Sequence, residues 1–127
     1  MRKVVKTENA PGAIGPYSQG VVFQGSLVYT AGQVPLDPVT GVLRNGTIEE
    51  ATKQVLENVK AILTEAGSSL ENVVKTTVFM SDLTEFSRMN AVYSQYFEKD
   101  PPARSAVQVS ALPLNARIEI EAVALIK

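Results

Sequence analysis

Two charged residues stand in apolar settings where a charge needs a reason. Arg104 follows Pro101-Pro102-Ala103 and opens a stretch that is otherwise small and apolar. Glu119 sits between Ile118 and Ile120. A guanidinium is a rigid fork of donors that matches a carboxylate bidentately and stays charged at physiological pH. Arg104 therefore suits an anchor for a small acid, although a surface or interface ion pair more commonly explains a lone Arg. A carboxylate placed like Glu119 can act as a general base or hold a water. Arg117 and Glu121 share its face, and pattern alone favours the solvated side of an amphipathic strand.

Weaker signals lie elsewhere. Tyr17 and Ser18 follow Gly15-Pro16 at a loop-to-strand junction, where an aromatic hydroxyl lines a pocket or, more commonly, caps a core. Asn90 falls beside Phe86, Met89 and Tyr93; a buried amide there needs partners, usually a loop backbone and less often a ligand. Gly32-Gln33 and Gly41 do not make a phosphate loop, because no Gly-rich run precedes a Lys-Ser or Lys-Thr pair. The chain has no histidine and no cysteine. That removes thiolate nucleophiles, Ser-His and Cys-His pairs, and the ligands most zinc sites use. Neither a metal nor a cofactor is expected. A net charge of −1, with both signs interspersed, lacks the basic excess of a phosphate-binding protein, so no nucleic-acid partner is expected.

The elements that position these residues can be read from periodicity. At 127 residues, 45% of them hydrophobic, residues 1–127 read as one domain able to bury a core without disulfides. No run approaches the ~20 apolar residues of a membrane span, and the charged start has no apolar signal core behind it. A cytoplasmic protein is expected. Short strands are predicted at 2–6, 17–24 and 27–31, the last two as a hairpin turning at Gly25-Ser26. Turn residues through 32–46 predict a long ordered loop. Thr47-Ile48-Glu49-Glu50 is a capping box, followed by apolar residues at helical spacing as far as Ala66, with Gly67 as the stop. Glu49 and Lys53 are spaced to pair across one turn. A strand at 73–80, covered on both faces, precedes a second helix capped by Ser81 or Asp82. Strands at 104–109 and 117–126 complete an α+β sandwich, with two helices on one face of a mixed sheet of about six strands. Two helices cannot cover Val21, Phe23, Val78, Met80 and Val123 together, so self-association is expected.

Taken together, Pro102-Ala103-Arg104-Ser105-Ala106-Val107, Ser110, Leu112 and Ile118-Glu119-Ile120 resemble the C-terminal signature of the YjgF/YER057c/UK114 (RidA) family. Ala10-Pro11, Ala13-Ile14-Gly15-Pro16-Tyr17-Ser18-Gln19, Gly32-Gln33-Val34-Pro35 and Val74-Lys75-Thr76-Thr77-Val78-Phe79 match it in order, so the resemblance spans essentially the whole chain. It implies a chorismate-mutase-like (bacillus type) subunit in a homotrimer with pockets between subunits. It also implies hydrolysis, at a C=N bond, of reactive 2-imino acids such as 2-iminobutanoate and 2-iminopropanoate, giving 2-oxo acids and ammonia. By that resemblance Arg104 clamps the substrate carboxylate and Glu119 steers the attacking water. Tyr17, Gly32, Asn90, Ala106 and Pro113 line the cleft, the Ala106 backbone helping to place the water or the imine nitrogen. Many relatives carry Ser where this chain has Ala31 and Cys where it has Ala106. Two other readings compete: an endoribonuclease or translation inhibitor, and a regulatory trimer that binds small carboxylates without catalysis.

Overall fold

The apolar spacing after Thr47 produces the longest helix. In the computed structural model, which describes residues 1–127, α1 runs Ile48–Glu65. The Thr47 hydroxyl accepts the Glu50 N–H at 3.1 Å, and Gly67 takes φ +82°, a conformation that favours glycine, just past the end. The reciprocal bond of the capping box, from the Glu50 side chain, is not made. Ile48, Val55, Leu56, Val59 and Leu63 are fully buried on the sheet side of α1. At about 1.5–3 kcal/mol per buried aliphatic side chain, this face is what fixes the helix on the sheet.

Six strands form, with mixed pairing, as expected. β1 (Arg2–Val5) and β2 (Gly20–Phe23) make an antiparallel ribbon. β3 (Leu27–Tyr29), β4 (Val73–Met80), β5 (Ala103–Gln108) and β6 (Ile118–Leu125) form a four-stranded sheet in the order β3-β6-β4-β5. A single parallel bridge, Ser18 to Ala103, joins the two. β2 and β3 therefore do not form the expected hairpin. Gly25, at φ +132°, turns the chain out of the ribbon, and β3 pairs with β6 instead.

Helix α2 (Phe86–Tyr96) crosses from β4 to its parallel neighbour β5. It is preceded by a 3₁₀ turn, Leu83–Glu85, whose cap is Asp82, accepting the Thr84 N–H at 2.9 Å. Met89 and Tyr93 are fully buried, and the Tyr93 and Phe97 rings meet at 4.7 Å between centroids. Glu49 does not pair with Lys53. It reaches across to Arg88 on α2, whose guanidinium offers two bonds, at 2.7 and 2.9 Å, where an ammonium offers a point charge.

The sheet has one covered face and one open face. Thr76, Val78 and Met80 of β4 pair with Ala122, Ile120 and Ile118 of β6, and all six are buried beneath the helices. Lys75, Thr77 and Phe79 pair with Val123, Glu121 and Glu119 on the other side, where all six are half-exposed. β4 is thus not covered on both faces within one protomer. The residues 32–46 form the expected ordered loop, tied to α1 by Asn58, which donates to the Val34 and Leu36 carbonyls. No helix is long and apolar enough to cross a membrane.

Candidate functional site

Parallel pairing with β4 fixes the direction of every side chain on β5. Arg104 stands opposite Thr76 and Ala106 opposite Val78, so both lie on the helix-covered face. The Arg104 guanidinium runs under α2 and is surrounded by rings. Its centre lies 4.8 Å from the centroid of Tyr93, 5.3 Å from that of Phe86 and 5.7 Å from that of Tyr17. Three aromatic faces around one cation stabilise it through their quadrupoles while leaving its edge donors free. Only Nη1 makes a hydrogen bond, to Asn90 Oδ1 at 2.6 Å, and no ion pair of the protein includes Arg104.

Burial pulls the Arg104 guanidinium below its ordinary value, and the neighbouring Tyr93 and Tyr17 hydroxyls oppose the shift. The group stays charged all the same. Beneath it the Tyr93 hydroxyl is bonded to the Thr76 hydroxyl at 2.7 Å and is pushed up to about 12, chiefly by burial. A neutral phenol therefore supports the cation without neutralising it. The donors open into a cavity of about 250 Å³ lined by Ile14, Gly15, Tyr17, Phe86, Asn90, Arg104 and Ala106. A half-buried cation with spare donors and no counter-charge, facing a small cavity, has the donors and the charge that a small anion would require.

Asn90 does not tie a loop backbone, as its setting suggested. It orients the guanidinium. Ser18 is the structural tie: its hydroxyl donates to the Pro101 carbonyl at 2.6 Å, and its N–H to that of Pro102 at 3.1 Å. Those bonds fasten the Tyr17 segment to the strand that carries Arg104.

Glu119 lies on the opposite face of the sheet, paired with Phe79. Backbone bonds between Gln33 and Ile120 draw the chain at residue 32 directly over its side chain. A Cβ on Gly32 would collide with Glu119 Oε2 and stand 2.8 Å from its carboxyl carbon. A side chain at 32 would push the Glu119 carboxylate aside, for this is where backbone packs on it. Glu119 itself is half-exposed and makes no hydrogen bond or ion pair within the protomer.

The sequence-predicted residues therefore fall into two groups. Tyr17, Asn90, Arg104 and Ala106 meet around one cavity. Gly32 and Glu119 meet on the open face, and Pro113 lies apart from both in an exposed 3₁₀ turn, Pro113–Asn115. Of the two positions that depart from the family pattern, Ala106 lines the cavity and Ala31 is exposed next to Gly32. Phe86 and Tyr93 were legible only as the apolar side of a helix; their role as faces for Arg104 was not.

The family model described as endoribonuclease L-PSP matches residues 7–126. A RutC family protein of Pyrococcus abyssi is 54% identical over 123 residues, covering 97% of this chain and 96% of that one. The human 2-iminobutanoate/2-iminopropanoate deaminase is 50% identical over 125 residues, covering 98% and 90%. Among solved structures, Escherichia coli TdcF with bound serine superposes with a TM-score of 0.77 at 45% identity, over 98% of this chain and 99% of that one.

Proposed function

The chain belongs to the endoribonuclease L-PSP (YjgF/RidA) family, and from that premise we propose that it hydrolyses small 2-imino acids to 2-oxo acids and ammonia. The observation that carries the reading is the unpaired Arg104 guanidinium facing its cavity. A 2-imino acid offers a carboxylate for that fork and a short side chain for the rings around it. The human relative bears the name of this activity, and the TdcF structure holds a small amino acid, serine.

The chemistry suits a chain without histidine or cysteine. A protonated imine is already electrophilic at carbon, so water attacks it without a covalent or metal intermediate. Arg104 holds the carboxylate and thereby fixes where the imine carbon lies. Glu119 holds the water and takes its proton as the C–O bond forms. Glu119 returns that proton to the nitrogen of the amino alcohol and then takes the hydroxyl proton as the C–N bond breaks and the C=O forms, and the departing ammonia carries that last proton away. One imine and one water give one 2-oxo acid and one ammonia. Orientation supplies several kcal/mol in favourable systems, and a general base about 10²–10⁴-fold in rate.

Arg104 and Glu119 lie on opposite faces of one sheet, so a single protomer cannot present both to one substrate. We therefore read the catalytic site as a cleft between copies, in a homotrimer working in the cytoplasm. One protomer brings Arg104, Tyr17, Asn90 and Ala106; its neighbour brings Glu119, Gly32 and Pro113. The open face supplies apolar surface for such a contact, with Tyr29 73% and Val107 43% exposed on it.

The direct test generates 2-iminobutanoate with a dehydratase and traps it as its semicarbazone. The protein is expected to suppress the adduct, Arg104→Ala to lose that effect, and Glu119→Gln to lose it while still binding a 2-oxo acid. Hydrolysis that survives in Glu119→Gln would show that Glu119 does not steer the water. If wild-type protein leaves the adduct unchanged and instead binds RNA with a steep salt dependence, the deaminase reading is wrong.

A further inference from the structure

The wall of the Arg104 cavity that faces away from the helices is a loop, residues 7–16, with no helix or strand of its own. It contains Pro11, Gly12, Gly15 and Pro16, and it carries Ile14, which lines the cavity yet is 95% exposed. A second hollow, of about 710 Å³, lies on its other side and shares Tyr17 as a wall. Within one protomer, nothing packs on the loop from either direction strongly enough to hold it by apolar burial.

One side chain gathers it. Gln19 Nε2 donates to the Pro11 carbonyl at 2.7 Å, the Thr7 carbonyl at 3.1 Å and the Ala10 carbonyl at 3.2 Å. Gln19 Oε1 accepts the Thr7 N–H at 2.7 Å. Two amide hydrogens serve three carbonyls, so one of them is shared, and the donor capacity of the amide is fully used. The other ties are one short backbone bond, Tyr17 N–H to the Gly15 carbonyl at 2.8 Å, and two longer ones, Asn9 N–H to the Thr7 hydroxyl at 3.1 Å and Ile14 N–H to the Tyr17 hydroxyl at 3.3 Å.

Gln19 is placed to do this because the segment 17–19 is anchored independently of the loop. Ser18 is bonded to Pro101 and Pro102, immediately before the strand that carries Arg104. On either side of that fixed point Tyr17 reaches the guanidinium and Gln19 reaches the loop backbone. Gln19 thus fixes the stretch 7–11 from which the Ile14-Gly15 wall continues, and Tyr17 bonds that wall directly.

We propose that Gln19 is a positioning residue for the carboxylate site: its amide holds the 7–16 loop closed over Arg104, and with it Ile14 against the side chain of the bound acid. This rests on the deaminase reading for its substrate but not for its geometry. Gln19 touches no substrate and acts through the loop.

The test compares wild type with Gln19→Met, which keeps length and removes the amide, and Gln19→Glu, which keeps the acceptor for Thr7 but cannot donate to the carbonyls. Both variants are expected to raise KM for 2-iminobutanoate about tenfold with kcat within about twofold, the signature of weakened substrate holding. Both are also expected to weaken binding of 2-oxobutanoate by a similar factor. Amide hydrogen exchange over residues 9–15 should quicken about tenfold while α1 and β4 keep their protection. Unchanged exchange and unchanged 2-oxobutanoate affinity in both variants would overturn the proposal. So would a loss of protection spread evenly over the chain, since Gln19 would then be a general stabilising residue. If wild-type protein hydrolyses no imine, the deaminase reading fails, and exchange and 2-oxobutanoate affinity still decide the role of Gln19.

Discussion

Arg104 and Arg117 are both half-buried arginines on or beside strands of the same sheet, yet the protein treats them in opposite ways. Arg117 is held at all three nitrogens: its guanidinium bonds Glu85 at 3.0 Å, the Asn45 carbonyl at 2.8 Å and the Gly46 carbonyl at 3.4 Å. Its charge is neutralised, and its donors tie the start of β6 to the loop before α1 and to the turn before α2. Arg104 receives one neutral oxygen, from Asn90, and three aromatic rings. A fold that brings a carboxylate to one guanidinium and withholds it from the other separates a strut from a cation still open to a ligand. Sequence context alone did not separate them, since an ion pair was a fair expectation for Arg104 and is what Arg117 makes.

The contrast can be broken by exchanging the measurements made on each residue. Arg104→Ala is expected to lower kcat/KM for imine hydrolysis about a hundredfold or more, as befits two lost charge-assisted bonds. Its thermal unfolding should move by no more than about 1 kcal/mol. A loss of stability without a loss of activity would make Arg104 a strut like Arg117. On the other wall, Gly32→Ala drives a methyl group into the Glu119 carboxyl. Glu119 is half-exposed and can swing aside, so stability should fall by about 1 kcal/mol or less. Hydrolysis should drop about tenfold, because the carboxylate is displaced from where the water is needed. Arg117→Ala should show the reverse of Arg104→Ala: a stability loss of about 1–2 kcal/mol in a denaturant titration, with turnover nearly unchanged.

The smallest effect concerns the support beneath Arg104. Tyr93 and Tyr96 are each pushed up from 10.0 to about 12, first by burial, with the Glu57 carboxylate adding to the shift at Tyr96. The folded state therefore keeps both phenols protonated over a range where the unfolded chain has already ionised them. That stabilising contribution is present in full below about pH 10 and is lost as the pH rises toward 12. Ultraviolet titration of phenolate should show Tyr93 and Tyr96 ionising late, together with alkaline unfolding. Normal titration of both would remove the buried neutral floor from under Arg104.

Much of the fold was legible because its signals are local. The cap at Thr47 and the apolar period behind it specify α1 within a single stretch of chain, and the alternation from Ile118 to Ala124 separates the two faces of β6. The hairpin failed because strand partners are chosen at long range. β2 and β3 are neighbours in sequence, but β3 gains more by continuing the sheet on β6 than by pairing back across Gly25. The site was legible to a different depth. Arg104 and Glu119 stand out by type and setting, and the family resemblance gathered their companions. That the two point to opposite faces follows only from the register of β4 against β5 and β6, where a shift of one residue would reverse every side chain. Gln19 gave no signal of its own, since its partners are backbone carbonyls in a loop without periodicity.

That separation of faces makes one experiment decisive. Arg104→Ala and Glu119→Gln proteins, each inactive alone, can be co-expressed or refolded together and assayed for imine hydrolysis. If each site takes Arg104 from one protomer and Glu119 from the next, random mixing in a trimer leaves about one cleft in four with both residues intact, and activity returns to about a quarter of the wild-type level. A mixture as inactive as its components, at every ratio and with mixed trimers verified by mass, would contradict a site shared between copies.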